Sequence, residues 1–233
     1  YKKIEVIVVD DYSNDNSLNI LKKYKNSITI IKNKKKTKYG SFNQINAYQL
    51  GFKKSKGKII FFLDSDDYFS KKKITTVVNF FKNNNSSIVF DLPIYDFKNK
   101  KMKKKFIQKL FILSSWPRFS PQSCITLRRN YAKEIFKNSK IKKFNTIWFD
   151  FRIAIYTFLK FKKIIVIKKH LTYYRQNPNS VSKKFKTFSK NWWIRRSEAH
   201  DYFSYISKKF KIKDPLSVDK LITKFLNYTI YLK

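Results

Sequence analysis

Two short apolar runs, each ending in a knot of carboxylates, constrain this chain more than any other feature. Asp10, Asp11 and Asp15 follow Ile4–Val9, and Asp64, Asp66 and Asp67 follow Ile59–Leu63. The chain carries 53 basic and only 15 acidic residues, so six acids in two places are a concentration and not a background. Short runs rich in β-branched residues read as buried strands. Acids just beyond them sit where the strand emerges into solvent, and open α/β sheets bind ligands at the carboxyl ends of their strands. Two carboxylate groups brought to one edge suit a divalent cation and the polar head of a nucleotide. Either group alone is equally well read as a strand or helix cap.

The periodicity between the clusters supports such a sheet. After Ile4–Val9, Ser13 is placed to cap a helix with Asp15 in its first turn and Leu18, Leu21 and Tyr24 on its apolar side. Ser27–Lys32 reads as a strand and Ser41–Ser55 as a helix. Gly57 lies where a helix end calls for a left-handed residue, and Lys58–Leu63 reads as a strand buried on both faces. Lys72–Lys82 is a helix, Ile88–Leu92 a strand and Phe97–Lys105 a lysine-rich connection or hairpin. Leu127–Phe136 is a strand end leading into a helix, Ile147–Phe158 an aromatic helix and Ile164–Ile167 a short strand. The alternation predicts an α/β fold with a mixed, mostly parallel sheet flanked by helices.

With 233 residues, 42% hydrophobic and 18% aromatic, the chain can bury a sizeable core and is not a disordered polycation. No apolar run approaches the ~20 residues of a membrane span. The first residue is Tyr1, not Met, and a strand follows almost at once, which reads as a start that lacks its first strand. The single cysteine, Cys124, excludes an internal disulfide and a cysteine-based zinc site, and reads as a small packed residue. A net charge of +38 raises nucleic acid as a partner. The lysines, however, fall in short runs flanking apolar segments and build no single stripe. A solvated surface, or attraction to an anionic membrane or acidic polymer, accounts for them better.

The motifs VVDDYSNDNS (Val8–Ser17), GSFNQINAYQLGFKKSKGK (Gly40–Lys58) and FFLDSDDYF (Phe61–Phe69) resemble, in order and spacing, the family 2 glycosyltransferases of the GT-A fold, from about Ile4 to Ser182. The resemblance implies a GT-A domain over residues 1–182, with residues 1–115 binding a nucleotide-sugar and 116–182 the acceptor, and a helical C-terminal extension over 183–233. It implies that Asp10 or Asp11 hydrogen-bonds the nucleobase, that Asp64 contacts the ribose, and that Asp66, supported by Asp67, ligates Mn²⁺ or Mg²⁺. Carboxylates are natural ligands for such hard cations, which neutralise a departing diphosphate. Gln44, Ala47 and Gly51 match the helix block. Tyr48 stands where Arg is common, Gln49 where Asn is usual, and Tyr12 where the family has glycine.

In the later half, Ser120–Cys124 resembles the segment before the family's middle strand. Asp150, in NTIWFDFRIAIY, matches the general base, with Phe149 in place of the customary Glu. A carboxylate in partly apolar surroundings ionises less readily, which suits a base; a helix-terminal acid complementing the macrodipole is the plainer reading. LTYYRQNPNSVS (Leu171–Ser182) resembles the YR-x-H-x-x-S-x-S block. Arg175 would then meet the donor diphosphate, and Asn177 takes the place of a histidine that joins the metal shell in relatives. His170 and His200 do not fill that slot. Past Ser182, Trp192, Trp193, Arg195 and Arg196 begin a basic, aromatic tail that either packs on the domain or lies on a membrane.

These readings imply an inverting, metal-dependent glycosyltransferase. It would use a nucleotide-sugar donor and a glycan or lipid-linked acceptor in cell-surface polysaccharide assembly, in the cytoplasm or at the inner face of the plasma membrane. A non-enzymatic basic module for nucleic acid or another polyanion, and an inactive relative, are the rival readings; no nucleic-acid motif favours the former.

Overall fold

A computed structural model describes residues 1–107, 113–139, 141–177, 185–214 and 216–231. The chain begins with β1 (Ile7–Asp10), α1 (Ser17–Lys22), β2 (Thr29–Lys32), α2 (Gly40–Lys54) and β3 (Ile59–Phe61). There follow β4 (Tyr68–Phe69), α3 (Lys73–Asn83), β5 (Ile88–Phe97), β6 (Lys100–Lys103), a 3₁₀ turn at Gln122–Cys124, β7 (Ile125–Arg128) and α4 (Arg129–Ser139). The chain closes with α5 (Phe149–Phe161), β8 (Val166–Arg175), α6 (Lys190–Lys209) and α7 (Val218–Tyr231).

Strands β1 and β2 pair in parallel, and a larger sheet runs in the order β3-β7-β5-β8-β4, with β6 also on β5. The α/β architecture with a mixed sheet flanked by helices is as expected, although fewer of its strand pairs are parallel than the pattern suggested. Among the described residues, only β1/β2 and β5/β8 are parallel. The pairs β3/β7, β4/β8, β5/β6 and β5/β7 are antiparallel. The later strands are joined by a hairpin and by connections that reverse direction, which local periodicity does not encode.

Several local expectations need correction. Helix α1 begins at Ser17 after Asn16, not at Ser13, and no side-chain cap closes it. The Ser13 N–H instead donates to Asp10 Oδ1 at 3.3 Å, and the Ser17 N–H to Asp15 Oδ1 at 3.0 Å. Gly57 is not left-handed. Its role is close approach: the N–H groups of Lys56 and Gly57 donate to Glu5 Oε1 at 2.7 and 2.5 Å, and a Cβ on Gly57 would lie 3.2 Å from that oxygen. Tyr12, φ 62°, is one of four left-handed residues among those described, at the position where the motif resemblance expected glycine.

Strand β5 continues through Pro93 to Phe97, past the Leu92 end expected for it. The β5/β8 register shifts between Leu92 and Pro93, and such an irregularity accommodates a residue that cannot donate to the ladder. Strand β8 likewise extends to Arg175, well past Ile167. Of the Leu171–Ser182 block, Pro178–Ser182 lie outside the described residues, as do Lys183–Lys184 and the boundary expected at 182/183.

One core gathers Phe42 and Ile45 of α2, Phe62, Ile125 and Leu127 of the sheet, Phe136 of α4, and Phe149 and Ile153 of α5. Ala199, Tyr202, Phe203 and Ile206 of α6 belong to the same cluster, so this helix is packed into the domain. Cys124 is fully buried, the packed residue its context suggested. Arg152, 1% exposed, donates to the carbonyls of Ile147 (3.2 Å), Ser139 (2.7 Å) and Phe144, and lies between the rings of Phe42 and Tyr202. It thereby ties down the loop that leads into α5.

Candidate active site

The second acid cluster is a turn held from three sides. The Asp67 N–H donates to the Asp64 carbonyl at 3.0 Å and closes it. The Asp64 N–H donates to Ser123 Oγ at 2.9 Å, which fixes the turn to the 3₁₀ segment. Asp67 Oδ1 accepts the backbone N–H of Arg175 at 2.9 Å, which fixes it to the end of β8. Asp67 is buried, and its Oδ2 has no hydrogen-bond partner; Asp66 is exposed beside it.

Ser123 is itself anchored by a buried polar group that gave no sequence signal. Lys73, fully buried at the start of α3, pairs with Asp91 of β5 at 2.8 Å. The Lys73 ammonium also donates to the Ser123 carbonyl at 2.5 Å and to Thr172 Oγ1 at 2.6 Å, and Thr172 donates to Asp91 Oδ1 at 2.7 Å. Elements α3, β5, β8 and the 3₁₀ turn thus meet behind the acids.

Helix α2 connects this turn to Asp150. Tyr48 donates its hydroxyl to Asp64 Oδ1 at 2.6 Å, and Gln44 Nε2 donates to the same oxygen at 3.3 Å. Gln44 Oε1 accepts the Phe149 N–H at 3.3 Å at the opening of α5. Ser41 Oγ donates to the Asn145 carbonyl at 2.5 Å, and a Cβ on Gly40 would come within 3.2 Å of the Trp148 ring. Asp150 therefore sits in the first turn of α5, next to residues tied to the acid turn, with its Oδ1 accepting the Phe151 N–H at 2.7 Å.

These carboxylates are electrostatically coupled to one another. Burial raises Asp64 to about 6; Tyr48's hydrogen bond opposes this, while Asp67, Asp150 and Asp66 add to it. Burial also raises Asp67 to about 6, against the hydrogen bonds of Ser123 and Arg175, with Asp66 contributing repulsion. Asp150 is raised by desolvation, opposed by the Phe151 N–H and by the Arg195 guanidinium from α6. Tyr174 of β8 is raised by desolvation and then by the charges of Asp150, Asp67, Asp64 and Asp66. Perturbed acids crowded in one place are a mark of functional sites.

Not every expected residue joins them in the same way. Asp10 and Asp11 end β1, where Asp11 accepts the amide of buried Asn33 at 2.7 Å and Asp10 accepts from Ser13. Their hydrogen bonds belong to the β1–β2 edge, not to the Asp64–Asp67 turn. Arg175 has an exposed side chain that lies 5.2 Å over the Tyr68 ring, at the mouth of the acid turn. Sequence reasoning missed Asn33, Ser123, Tyr174 and Arg195, and took Tyr48 as a departure from pattern when it is a direct partner of Asp64. The aromatic–basic character of α6 was visible; that the Arg195 charge acts on Asp150 was not.

Among the described residues, no group of three His, Cys, Asp or Glu side chains is arranged to hold a metal ion. The residues present still fit a hard cation of the magnesium kind. Such ions take one or two carboxylates and complete their shell with substrate phosphates and water. The unpartnered Asp67 Oδ2 and the exposed Asp66 offer two.

Comparison with known proteins identifies the family. Residues 1–164 match the family model for glycosyl transferase family 2, a shorter span than the motif resemblance to Ser182. Over 65 residues, 27% of this chain and 19% of the relative, it is 45% identical to poly(ribitol-phosphate) beta-N-acetylglucosaminyltransferase TarP of Staphylococcus aureus. It is 35% identical over 66 residues to TarS of the same species, covering 28% of this chain and 11% of TarS. The crystal structure of S. aureus TarS 1–349 with UDP-GlcNAc superposes at a TM-score of 0.57 and 17% identity, covering 94% of this chain and 60% of that one. The complex with UDP gives 0.54 at 16% identity, over 85% and 55%. The chain thus spans less than two thirds of these relatives' length, and the structural likeness is one of fold. With a family match over most of its length and an α/β fold shared with TarS, this chain belongs to glycosyl transferase family 2.

Proposed function

We propose that the protein transfers a sugar from a nucleotide-sugar donor to a glycan or lipid-linked acceptor, with inversion at the anomeric carbon. The observation that supports this reading is the hydrogen-bond chain from Asp64 through Gln44 to the Phe149 N–H at the start of α5, with Tyr48 on the same Asp64 oxygen and Asp67, Asp150 and Asp66 adding to the upward shift of Asp64. Asp150, made more basic by burial, takes the proton of the acceptor hydroxyl as its oxygen attacks the anomeric carbon. The bond to the diphosphate breaks, and the nucleoside diphosphate leaves from the opposite face with the electron pair. Asp64 holds the ribose, Asp10 or Asp11 the base, and Arg175 the diphosphate. Asp66 and Asp67 would hold Mn²⁺ or Mg²⁺, which would offset the charge of the leaving diphosphate.

The names of TarP and TarS and the UDP-GlcNAc bound to TarS support UDP-N-acetylglucosamine as the donor and a polyol-phosphate polymer as the acceptor. The +38 charge suits a polyanionic acceptor. We place this chemistry at the cytoplasmic face of the membrane, in cell-surface polymer assembly. Thermal unfolding with UDP, GDP and other nucleoside diphosphates, with and without Mn²⁺, tests the donor site directly. One diphosphate should raise the melting temperature only when Mn²⁺ is present, and Asp66→Ala should abolish both that rise and UDP-GlcNAc turnover while remaining folded. Full turnover in Asp66→Ala, or no nucleotide-dependent shift in the parent, would overturn the assignment.

A further inference from the structure

Helix α7 is amphipathic and lies on the domain with its polar side inward. At ~3.6 residues per turn, Val218, Leu221, Ile222, Phe225 and Tyr228 share one face. All five point to solvent, with between 46% and 67% of each exposed, and Leu216 just before the helix is 73% exposed. The opposite face is buried and polar. Asp219 receives two hydrogen bonds from Arg196 at 2.5 Å each and pairs with His200 at 3.2 Å. Lys220 pairs with Asp214, Thr223 is fully buried, and Asn227 donates to the Trp193 carbonyl at 3.0 Å.

A specific set of charge pairs thus orients the helix, and it orients the apolar stripe outward. Contiguous exposed apolar surface of this kind marks an interaction site. The Asn227–Trp193 bond brings the start of α6 alongside the stripe's far end. There Phe188, 72% exposed, meets Trp192 and Trp193 at 5.4 and 6.0 Å, and the two indoles meet at 4.6 Å. Aromatic clusters carrying an indole N–H or a phenol favour the boundary between water and hydrocarbon.

Charge selects among the surfaces that such a stripe can meet. Lys186, Lys190, Lys211, Lys213 and Lys224 are exposed near its two ends and along it. A second copy of the chain would bring +38 against +38, whereas an anionic lipid surface attracts lysines and accepts an apolar helix face together. No helix among the described residues is long and apolar enough to cross a membrane, so the fitting mode is to lie in the interface.

We propose that the outward face of α7, continued by Phe188, Trp192 and Trp193, docks the protein on an anionic lipid bilayer. The proposal stands apart from the transfer chemistry, because none of these side chains belongs to the acid site. Co-sedimentation of the full chain with phosphatidylglycerol or phosphatidylcholine vesicles at about 0.15 M salt tests it. The parent should pellet with the anionic vesicles and stay in solution with the neutral ones. Leu221→Glu with Phe225→Glu should weaken binding by at least about tenfold, by losing apolar insertion, while helicity and melting temperature stay unchanged. Three results would overturn it: no binding of the parent to either vesicle, undiminished binding of the double variant, or a lipid-independent dimer that the double variant dissociates.

Discussion

Asp67 exposes a conflict between stability and function whose size follows from its surroundings. Its carboxyl ionises near 6 in the fold and at an ordinary 3.8 in the open chain. A group raised in this way binds its proton more tightly when folded. Its ionisation therefore costs nothing below 3.8, costs progressively more as pH rises from 3.8 to 6, and costs a constant amount above. That amount is about 3 kcal/mol. Asp67→Asn removes it and lifts part of the repulsion on Asp64, but weakens the bond accepted from the Arg175 N–H, worth about 1 kcal/mol. The net gain at pH 7.5 is about 2 kcal/mol, or about 4–8 °C in melting temperature for a chain of this size. At pH 4.5, where the folded Asp67 is already protonated, the gap should shrink to about a third of that or less. Paired melting curves of the two proteins at both pH values give the answer, since titrating groups that Asp67 does not perturb cancel between them. A variant that melts below the parent at pH 7.5, or a gap independent of pH, would refute the account of Asp67 as a strained site carboxylate.

Two further outcomes follow from neighbouring residues. Lys73→Met leaves Asp91 buried and uncompensated and should destabilise the protein by about 3–5 kcal/mol in urea unfolding. Adding Asp91→Asn should recover much of the loss; no recovery would mean that Lys73 acts by packing alone. At Tyr12, held at φ 62°, glycine should be tolerated with a change of about 1 kcal/mol or less, because relief of the left-handed conformation offsets the added freedom of the open chain. Tyr12→Val should cost about 1–2 kcal/mol more than Tyr12→Gly, since a β-branched residue resists that conformation; equal melting temperatures would remove the argument.

Glycosyl transferase family 2 was legible in this chain because its signals are local. A buried strand needs a short apolar run, and a ligand edge needs carboxylates directly after it, so VVDD and FLDSDD placed the acids at strand ends without any knowledge of neighbours. The aromatic helix bearing Asp150 was legible for the same reason. Boundaries failed where a tertiary contact overrode a local rule. Pro93 stays in its strand because the β5/β8 register shifts there, and Gly57 serves Glu5, 52 residues away, instead of a helix cap.

The sequence by itself determined which segments become strands and helices and which residue types wait at their ends, since both depend on patterns a few residues long. Tertiary structure alone decided which of those ends meet. Gln44 and Tyr48 join Asp64 to the start of α5, Arg195 acts electrostatically on Asp150 from another helix, and Lys73 finds Asp91 and Ser123 in a dry interior. It also decided which side of α7 faces outward. Periodicity reports that a helix has an apolar face, but Asp219, Lys220 and Asn227 find partners only in the folded chain, and those polar bonds turn the apolar face to the solvent.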